Sequence, residues 1–515
     1  MPFTLSKAGK PISATVATGM KHYLGIDIGT FESKGVLVDA EGRIVASAAK
    51  PHKMIVPRPG WAEHRAREDW WDDFVHLTRK LLAESAIDPA SIRAVGCSAI
   101  GPCMLPVDKD GEPLVNAVLY GVDARAAEEI EELTGAIGEE VLLDRCGNAL
   151  TSQSVGPKIL WLKRNRPDVF ARAHKILTST SFLVHRLTGA YVIDHYTAAN
   201  FSPLYVADEQ GWSASLRDDI VELERLPELA WTTDIAGHVT RRAAAETGLA
   251  EGTPVIAGTI DAAAEALSVG VLDSGDMMLM YGSTIFIIML TEQRVRDRRL
   301  WYAPWLFPGQ HASMSGLATS GTLTHWFREH FARELAPEAA IVQLSAEAES
   351  SPPGANGLVL LPYFSGERTP IHDPHAKGVL FGLNLTHTRA DVFRAVLEGI
   401  AYGTNHIIET YHAVGHSPRR LFAVGGGTKN RVWGQATSDV SGATQIIRSR
   451  TIGASYGDAF LAALAVGDAR LADIESWNPV ASEIVGTPSD AYRRQYSIYR
   501  EIYSRTADLM RQLDT

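Results

Sequence analysis

Apolar residues first gather in "YLGIDIGTFESKGVLVD", Tyr23 to Asp39, where two strand-length runs flank a short glycine-containing turn. "DAEGR", Asp39 to Arg43, then supplies hairpin-turn residues before a third run, "IVASAAK". Three consecutive hairpin-linked strands are expected from this alternation. The period then lengthens. In "EDWWDDFVHLTRKLLAE", Trp71, Phe74, Val75, Thr78, Leu81 and Leu82 share one helical face. "IRAVGCS" reads as another strand, "VDARAAEEIEELTG" as an amphipathic helix closed by Gly135, and "PVIAGTIDAAAEALSVG" as strand, turn and helix.

The second half repeats the arrangement. "MMLMYGSTIFIIML" is strand, Gly-Ser-Thr turn and strand, and "RLFAVGGGTKNRVWGQATSDVSG" is strand, glycine-rich turn and helix. The pattern predicts two variations of one mixed α/β unit, residues 21–268 and 269–515, with the changeover near Val269 to Gly275. Residues 1–20 read as a disordered extension without the apolar core of a signal peptide. A chain of 515 residues is too long for one ordinary core. A cleft between two such lobes is the natural place for a ligand.

Composition narrows the classes. With 45% hydrophobic and 21% charged residues the chain reads as a soluble globular protein. A net charge of −11 lacks the basic footprint of a nucleic-acid surface, so no nucleic-acid partner is expected. The longest apolar run is interrupted by Gly282-Ser283-Thr284 and is too short to span a bilayer, so no membrane partner is expected either. Cys97, Cys103 and Cys146 have no paired spacing, which favours a cytoplasmic setting without disulfides.

The candidate chemistry starts at Asp27, a carboxylate closing an apolar run. Burying it costs several kcal/mol, roughly, unless something compensates. The local sequence leaves two compensations open: a metal ion with a phosphate beyond it, or an ion pair with Lys34, itself either a phosphate contact or an exposed strand residue. Three turns at strand ends share one chemistry: Gly29-Thr30, Gly282-Ser283-Thr284 and Gly425-Gly426-Gly427. Glycine lets backbone amides converge on an anion, hydroxyls donate further bonds, and a helix opening after the third turn adds its positive end. There is no GxxxxGK[ST] motif and no GxGxxG after a strand. "GCSAIG" around Ser98 misses a nucleophile elbow by one residue, and "HDPH", His372 to His375, reads as a plain loop. Lys158 and Trp161 read as helix surface charge and packing.

These segments resemble those of the FGGY family of sugar kinases, within the actin-like and hexokinase-like ATPase superfamily. "GIDIGTFESKGVLVD" is similar to the family's first phosphate motif and "MYGSTIF" to its second. "AGTIDAAAEALSVG" resembles the catalytic-aspartate segment, "FAVGGGTKNRVWGQATSDVSGA" the adenosine motif, and "GVLFGLNLTHTRADVFRAVLEGIAYG" the second signature. "PYFSGERTPIHDP" and "PRPGWAEHRAREDWW" are close to segments of the family's xylulokinases. The first signature is only partly kept in "QSVGPKILWLK", where Gln153 and Val155 depart from it, and Phe31 and Glu32 stand where hydroxyl residues are common.

The resemblance implies two ribonuclease-H-like α/β domains with ATP in the cleft, Mg2+ on Asp27, and a small sugar or polyol as the second substrate. Asp261 reads locally as either a helix N-cap or a general base, and the resemblance makes it the base. Gly29, Thr30, Lys34, Gly282, Ser283, Thr284, Gly425, Gly426, Gly427 and Asn430 become the nucleotide contacts, and Asp123, Arg125 and Asp261 the sugar contacts. A homodimer is left open. The sugar side departs from a xylulokinase. Ile100-Gly101-Pro102-Cys103 stands where the family's polar stretch lies, Ala262 follows the base in place of an amide, and "YGVDAR" lacks the amide of the next loop. A less polar or differently shaped substrate is expected, unless Tyr120 or Glu265 supplies the missing contacts.

Overall fold

The computed structural model describes residues 20–513, so the expected N-terminal extension, apart from Met20, lies outside the described residues. The first sheet is built on the strand His22–Ile28, which pairs antiparallel with Glu32–Asp39, itself paired with Ile44–Pro51. Asp39 and Arg43 close the expected hairpin, with Gly42 at φ 72°. On its other side His22–Ile28 runs parallel to Ile92–Ala99, followed outward by Pro254–Ile256 and Ile235–His238. Every residue of His22–Ile28 is buried. The helix Asp72–Ser85 packs over this sheet, burying Phe74, Leu77, Thr78 and Leu81, while a wide helical turn before it buries Trp70 and Trp71.

The second sheet repeats the order. Asp276–Tyr281 pairs antiparallel with Ile285–Thr291, then His311–Leu317, and parallel with Arg420–Val424, then Gln445–Arg448. Trp301–Pro304 and Val480–Ile484 extend its two edges. Two sheets with the same sequence of antiparallel and parallel neighbours make the expected pair of α/β units. Residues 269–275 link the helix Asp261–Ser268 to the first strand of the second sheet.

Two features differ from the sequence reading. The helix expected to close at Gly135 runs Ala127–Ile137 and ends at Gly138, whose φ of 93° stops it. Gly135 sits inside that helix with open space around it, so nothing there breaks the backbone hydrogen bonds. The second difference is a crossing. The helix Ala454–Ala465, late in the chain, packs against the first sheet's strands His22–Ile28 and Ile92–Ala99 and against the helix Asp261–Ser268. Glycines make the close approach: a Cβ on Gly25, Gly96 or Gly457 would overlap the carbonyl oxygens of Ser455, Asp458 and Ala264. The C-terminal part of the chain thus helps to build the strand end that carries Asp27.

Candidate active site

Asp27 lies opposite Lys34 on one neighbouring strand and Ser98 on the other. The Lys34 ammonium leans to Glu32, 3.5 Å away, with 41% of its side chain exposed, so the strand pairing does not neutralise Asp27. The Asp27 carboxyl instead meets the Ser98 hydroxyl, which donates across 3.4 Å. Burial pushes its pKa well above the ordinary carboxylate range, and the neighbouring Asp261 and Glu265 charges push it further; Lys34 and the Ser98 hydrogen bond oppose this.

Asp261 is the first residue of the helix Asp261–Ser268, with Ile260 in the cap position. Its carboxylate accepts the N–H of Ala262 at 2.7 Å. The N-cap alternative therefore falls away, because Asp261 sits one residue inside the helix. Enclosure by the surrounding protein raises its pKa to about 7, opposed by the Ala262 N–H and helped by the charge of Glu265 one turn along. That reverses the balance expected of an Asp at a helix start, where the dipole favours the carboxylate. Glu265 is raised too, by burial first.

Asp27, Asp261 and Glu265 line one cavity of about 340 Å3. Phe286 and Met314 of the second sheet and Thr284 of its Gly-Ser-Thr turn form the opposite wall, so the cavity lies between the two lobes. Tyr120, Gln153, Asn200 and Arg368 add polar groups, while Gly101, Pro102, Ile260, Met280 and Trp301 add apolar surface.

The three glycine turns hold different places around it. Thr30, after Gly29, shares a hydrogen bond of 3.1 Å with the Tyr120 hydroxyl, a group of the cavity wall. The Gly282 and Ser283 carbonyls accept the backbone N–H groups of Ser320, Gly321 and Thr322 and the hydroxyls of Ser320 and Thr322, which fixes the turn that brings Thr284 to the cavity. Gly425, with φ 89°, lies so close to Tyr281 that a Cβ would sit 2.6 Å from its carbonyl oxygen. The second and third turns therefore touch. Gly427 is pressed against Trp433 and Tyr281, whereas Gly426 faces open space.

Comparison with known proteins decides the family. The model described as the FGGY family of carbohydrate kinases, N-terminal domain, matches residues 22–268, and that for the C-terminal domain matches residues 277–466. The chain belongs to the FGGY family of carbohydrate kinases. Its activity class is phosphoryl transfer to a sugar hydroxyl. The xylulose kinase of Bacillus subtilis is 29% identical over 507 residues, covering 95% of this chain and 98% of that protein. That of Escherichia coli is 29% identical over 504 residues, covering 95% and 100%. The crystal structure of xylulose kinase from Rhodospirillum rubrum superposes with a TM-score of 0.88 at 31% identity, covering 95% of this chain and all of that one.

Several site expectations for this FGGY kinase need correction. Asp123 and Arg125 are not on the wall of the cleft cavity. Asp123 is fully buried, and its carboxylate accepts the Ala62 N–H at 2.7 Å and grips the Arg125 guanidinium. Arg125 also pairs with Glu63 at 2.8 Å and lies over the Trp61 ring. With its partners satisfied, this pair is built to hold the loop, and Arg125 borders a separate cavity. Asn430 is also committed: its oxygen caps the helix Arg431–Ser441 at Trp433 N–H, and its amide donates to Ser345. A short 3-10 turn, Gly426–Lys429, precedes that helix, so the helix does not start at the glycines. Lys158, read as surface charge, is 1% exposed; its ammonium donates to the Leu119 and Tyr120 carbonyls, and burial lowers its pKa to about 8. Trp161 does pack, edge-on to Trp61.

The sequence reading missed Asp458 and Arg368. Asp458 is fully buried, 2.7 Å from the Ser98 hydroxyl that also reaches Asp27. Its signal was the one that singled out Asp27, an acid within an apolar run, "GASYGDAFLAALAVG". Arg368 belongs to the "SGERTP" stretch and borders the cavity from the second lobe.

Proposed function

We propose that the protein transfers the γ-phosphoryl group of ATP to a hydroxyl of a small sugar or polyol bound in the interlobe cavity. The observation that carries this reading is the meeting of Asp27, Asp261 and the Thr284 turn on one cavity. Asp261 accepts the proton of the attacking hydroxyl, and its pKa of about 7 suits a base that must hold that proton near neutral pH. The glycine turns orient the phosphates, with adenosine along Gly426, whose outer side is open. Tyr120, Gln153 and Glu265 are placed to meet sugar hydroxyls, and Cys103, fully buried and bonded to the Ile100 carbonyl, is not.

Mg2+ suits the residues present. Among the described residues no group of three or more metal-ligating side chains is set to hold a metal. Mg2+ does not need one: it is usually bound through one or two carboxylates, waters and substrate phosphates. Asp27, a buried carboxyl with no cation within ion-pairing distance among the described residues, fits that role, with Asp261 and Glu265 nearby. Bound there, Mg2+ neutralises phosphate charge during transfer.

A cytoplasmic setting accords with three buried free cysteines. Among the described residues no helix is long and apolar enough to cross a membrane.

A coupled ADP-release screen over ketopentoses, aldoses, polyols and sugar acids tests the reading. Sugar-dependent, Mg2+-dependent ADP release is expected. Nucleotide binding without any sugar-dependent turnover across the panel would overturn it.

A further inference from the structure

A turn that binds an anion through its amides has to place its own carbonyl oxygens elsewhere, because their partial negative charge would repel the same ligand. In the first phosphate turn, Gly29 to Glu32, each of the four carbonyls has a protein donor facing it. Glu32 accepts the Gly29 N–H at 3.1 Å, and Phe31 accepts the His52 N–H at 2.9 Å. Gly29 accepts from the His52 ring at 2.9 Å, and the Thr30 backbone faces the His64 ring. Among the described residues the Thr30 and Phe31 N–H groups, in contrast, donate to no protein acceptor.

Both rings are fixed by further contacts. A carbonyl can only accept, so His52 donates to Gly29 from Nε2. Its Nδ1 lies 2.9 Å from the Asp73 carboxylate, and its side chain is 6% exposed. Asp73, in the first turn of the helix Asp72–Ser85, also accepts from the Ser33 hydroxyl at 2.7 Å and pairs with Lys50. Burial works to raise the Asp73 pKa, but the bonds from His52, Lys50 and Ser33 outweigh it and hold the carboxyl below its ordinary range. Asp73 therefore accepts at neutral pH, and a His52 ring with hydrogen on both nitrogens satisfies both oxygens.

His64 is held from the other side. The Trp70 indole N–H, which can only donate, reaches His64 Nδ1 at 3.0 Å. Burial lowers the His64 pKa to about 4, so the ring is neutral at pH 7 and its one hydrogen sits on Nε2. That N–H is buried, makes no full hydrogen bond, and has the Thr30 backbone within reach. The His52 and His64 rings meet edge to face, with centroids 5.0 Å apart. Neither ring lines the interlobe cavity, so both act through the turn.

We infer that His52 and His64 are positioning residues for the phosphates of the nucleotide. The Gly29 carbonyl and the Thr30 N–H belong to one planar trans peptide and point in opposite directions, as do the Thr30 carbonyl and the Phe31 N–H. Drawing the two carbonyls back onto the imidazoles therefore aims the two unpartnered amides the other way, at the phosphate chain. Without the Nε2 donor of His52 the first of these peptides is free to turn, and an oxygen then replaces an amide in front of the anion. The adenosine end, on the Gly425-Gly426-Gly427 turn of the other lobe, is untouched by that rotation. The inference rests on the kinase reading above.

Two replacements of similar shape separate the ring nitrogens in the full-length enzyme. His52→Gln keeps a donor where Nε2 stands, and His52→Asn keeps one only where Nδ1 stands. Calorimetry with ATP, ADP and AMP, each with Mg2+ and without sugar, should show ATP affinity about tenfold lower in His52→Asn and close to native in His52→Gln. AMP affinity should stay native in both. A fault in the phosphate turn grows with the number of phosphates, whereas a structural fault weakens all three nucleotides alike. His64→Leu should lower ATP affinity in the same phosphate-dependent way, and His64→Gln should recover it. In the native enzyme ATP should slow hydrogen exchange at the Thr30 and Phe31 amides, and AMP should not. Equal losses for ATP and AMP, a His52→Asn enzyme with native ATP affinity, or amide exchange that ATP leaves unchanged would overturn this inference alone. A native enzyme that binds no ATP would defeat the kinase reading and this inference with it.

Discussion

The Ser98 hydroxyl lies 2.7 Å from Asp458 and 3.4 Å from Asp27, joining the cavity carboxyl to a helix 360 residues further along the chain. A hydroxyl has one hydrogen, so it bridges two carboxyl groups when one of them is protonated. Burial raises the Asp458 pKa well above the carboxylate range, with the Asp27 charge adding to it, and its second oxygen has no partner. Asp27 is raised as well, and Asp458, whose second oxygen finds no donor, is the member that a charge would suit least. A carboxyl whose folded pKa is raised stabilises the fold fully below its unfolded pKa near 3.8, and that contribution is lost as pH rises toward the folded value. Asp458→Asn should flatten the fall of the unfolding midpoint as pH rises above the unfolded pKa of 3.8 and raise the midpoint at neutral pH. Thermal unfolding of both proteins across that range checks it, and parallel curves would count against a neutral Asp458.

Close glycine packing should be equally specific. Gly25→Ala or Gly457→Ala forces a methyl group into the backbone of a neighbouring element, costing about 1–3 kcal/mol or more. Gly135→Ala, inside the helix Ala127–Ile137 with open space around it, should instead stabilise by about 0.5–1 kcal/mol. Urea titrations of the three variants give the sign directly.

How far these features can be read from sequence depends on how local they are. The glycine turns, the hairpin at Asp39 to Arg43 and the junction at Asp261 are fixed by residues adjacent in the chain, and all were legible. Lys158 was not: a lysine on an amphipathic helix reads as solvated until the Leu119 and Tyr120 carbonyls are known to close over it. Asp123 and Arg125 stand as sugar contacts through the family resemblance alone, and the partners that commit them, Ala62 and Glu63, come from about sixty residues earlier. Asp458 needed Ser98, and Arg368 needed the far wall of the cleft. In each case an isolated polar residue took its meaning from a contact distant in sequence.

The adenosine turn separates folding from binding. Gly426→Val adds bulk where a Cβ meets nothing, so stability should hold while the KM for ATP rises about tenfold. Gly425→Ala, at φ 89° against the Tyr281 carbonyl, should lose stability first. Unchanged nucleotide affinity in Gly426→Val would move adenosine away from this turn.

Asp261 should set the acid limb of the rate profile. A base raised to about 7 is protonated, and so inactive, below that pH. With MgATP fixed, kcat/KM for the sugar should fall as pH drops through this region, and more Mg2+ should move the fall to lower pH by favouring ionised carboxyl groups. A rate that climbs on acidification would contradict a carboxylate base.

The most direct measurement is single-site replacement of the base, Asp261→Asn, with nucleotide binding and turnover measured on the same folded preparation. Nucleotide affinity should stay close to native while kcat drops by about 10²–10⁴-fold. Asp27→Asn, measured alongside, should shift the Mg2+ dependence as well as the rate. An Asp261→Asn enzyme that keeps near-native kcat would contradict the assignment of Asp261 as the group that takes the hydroxyl proton.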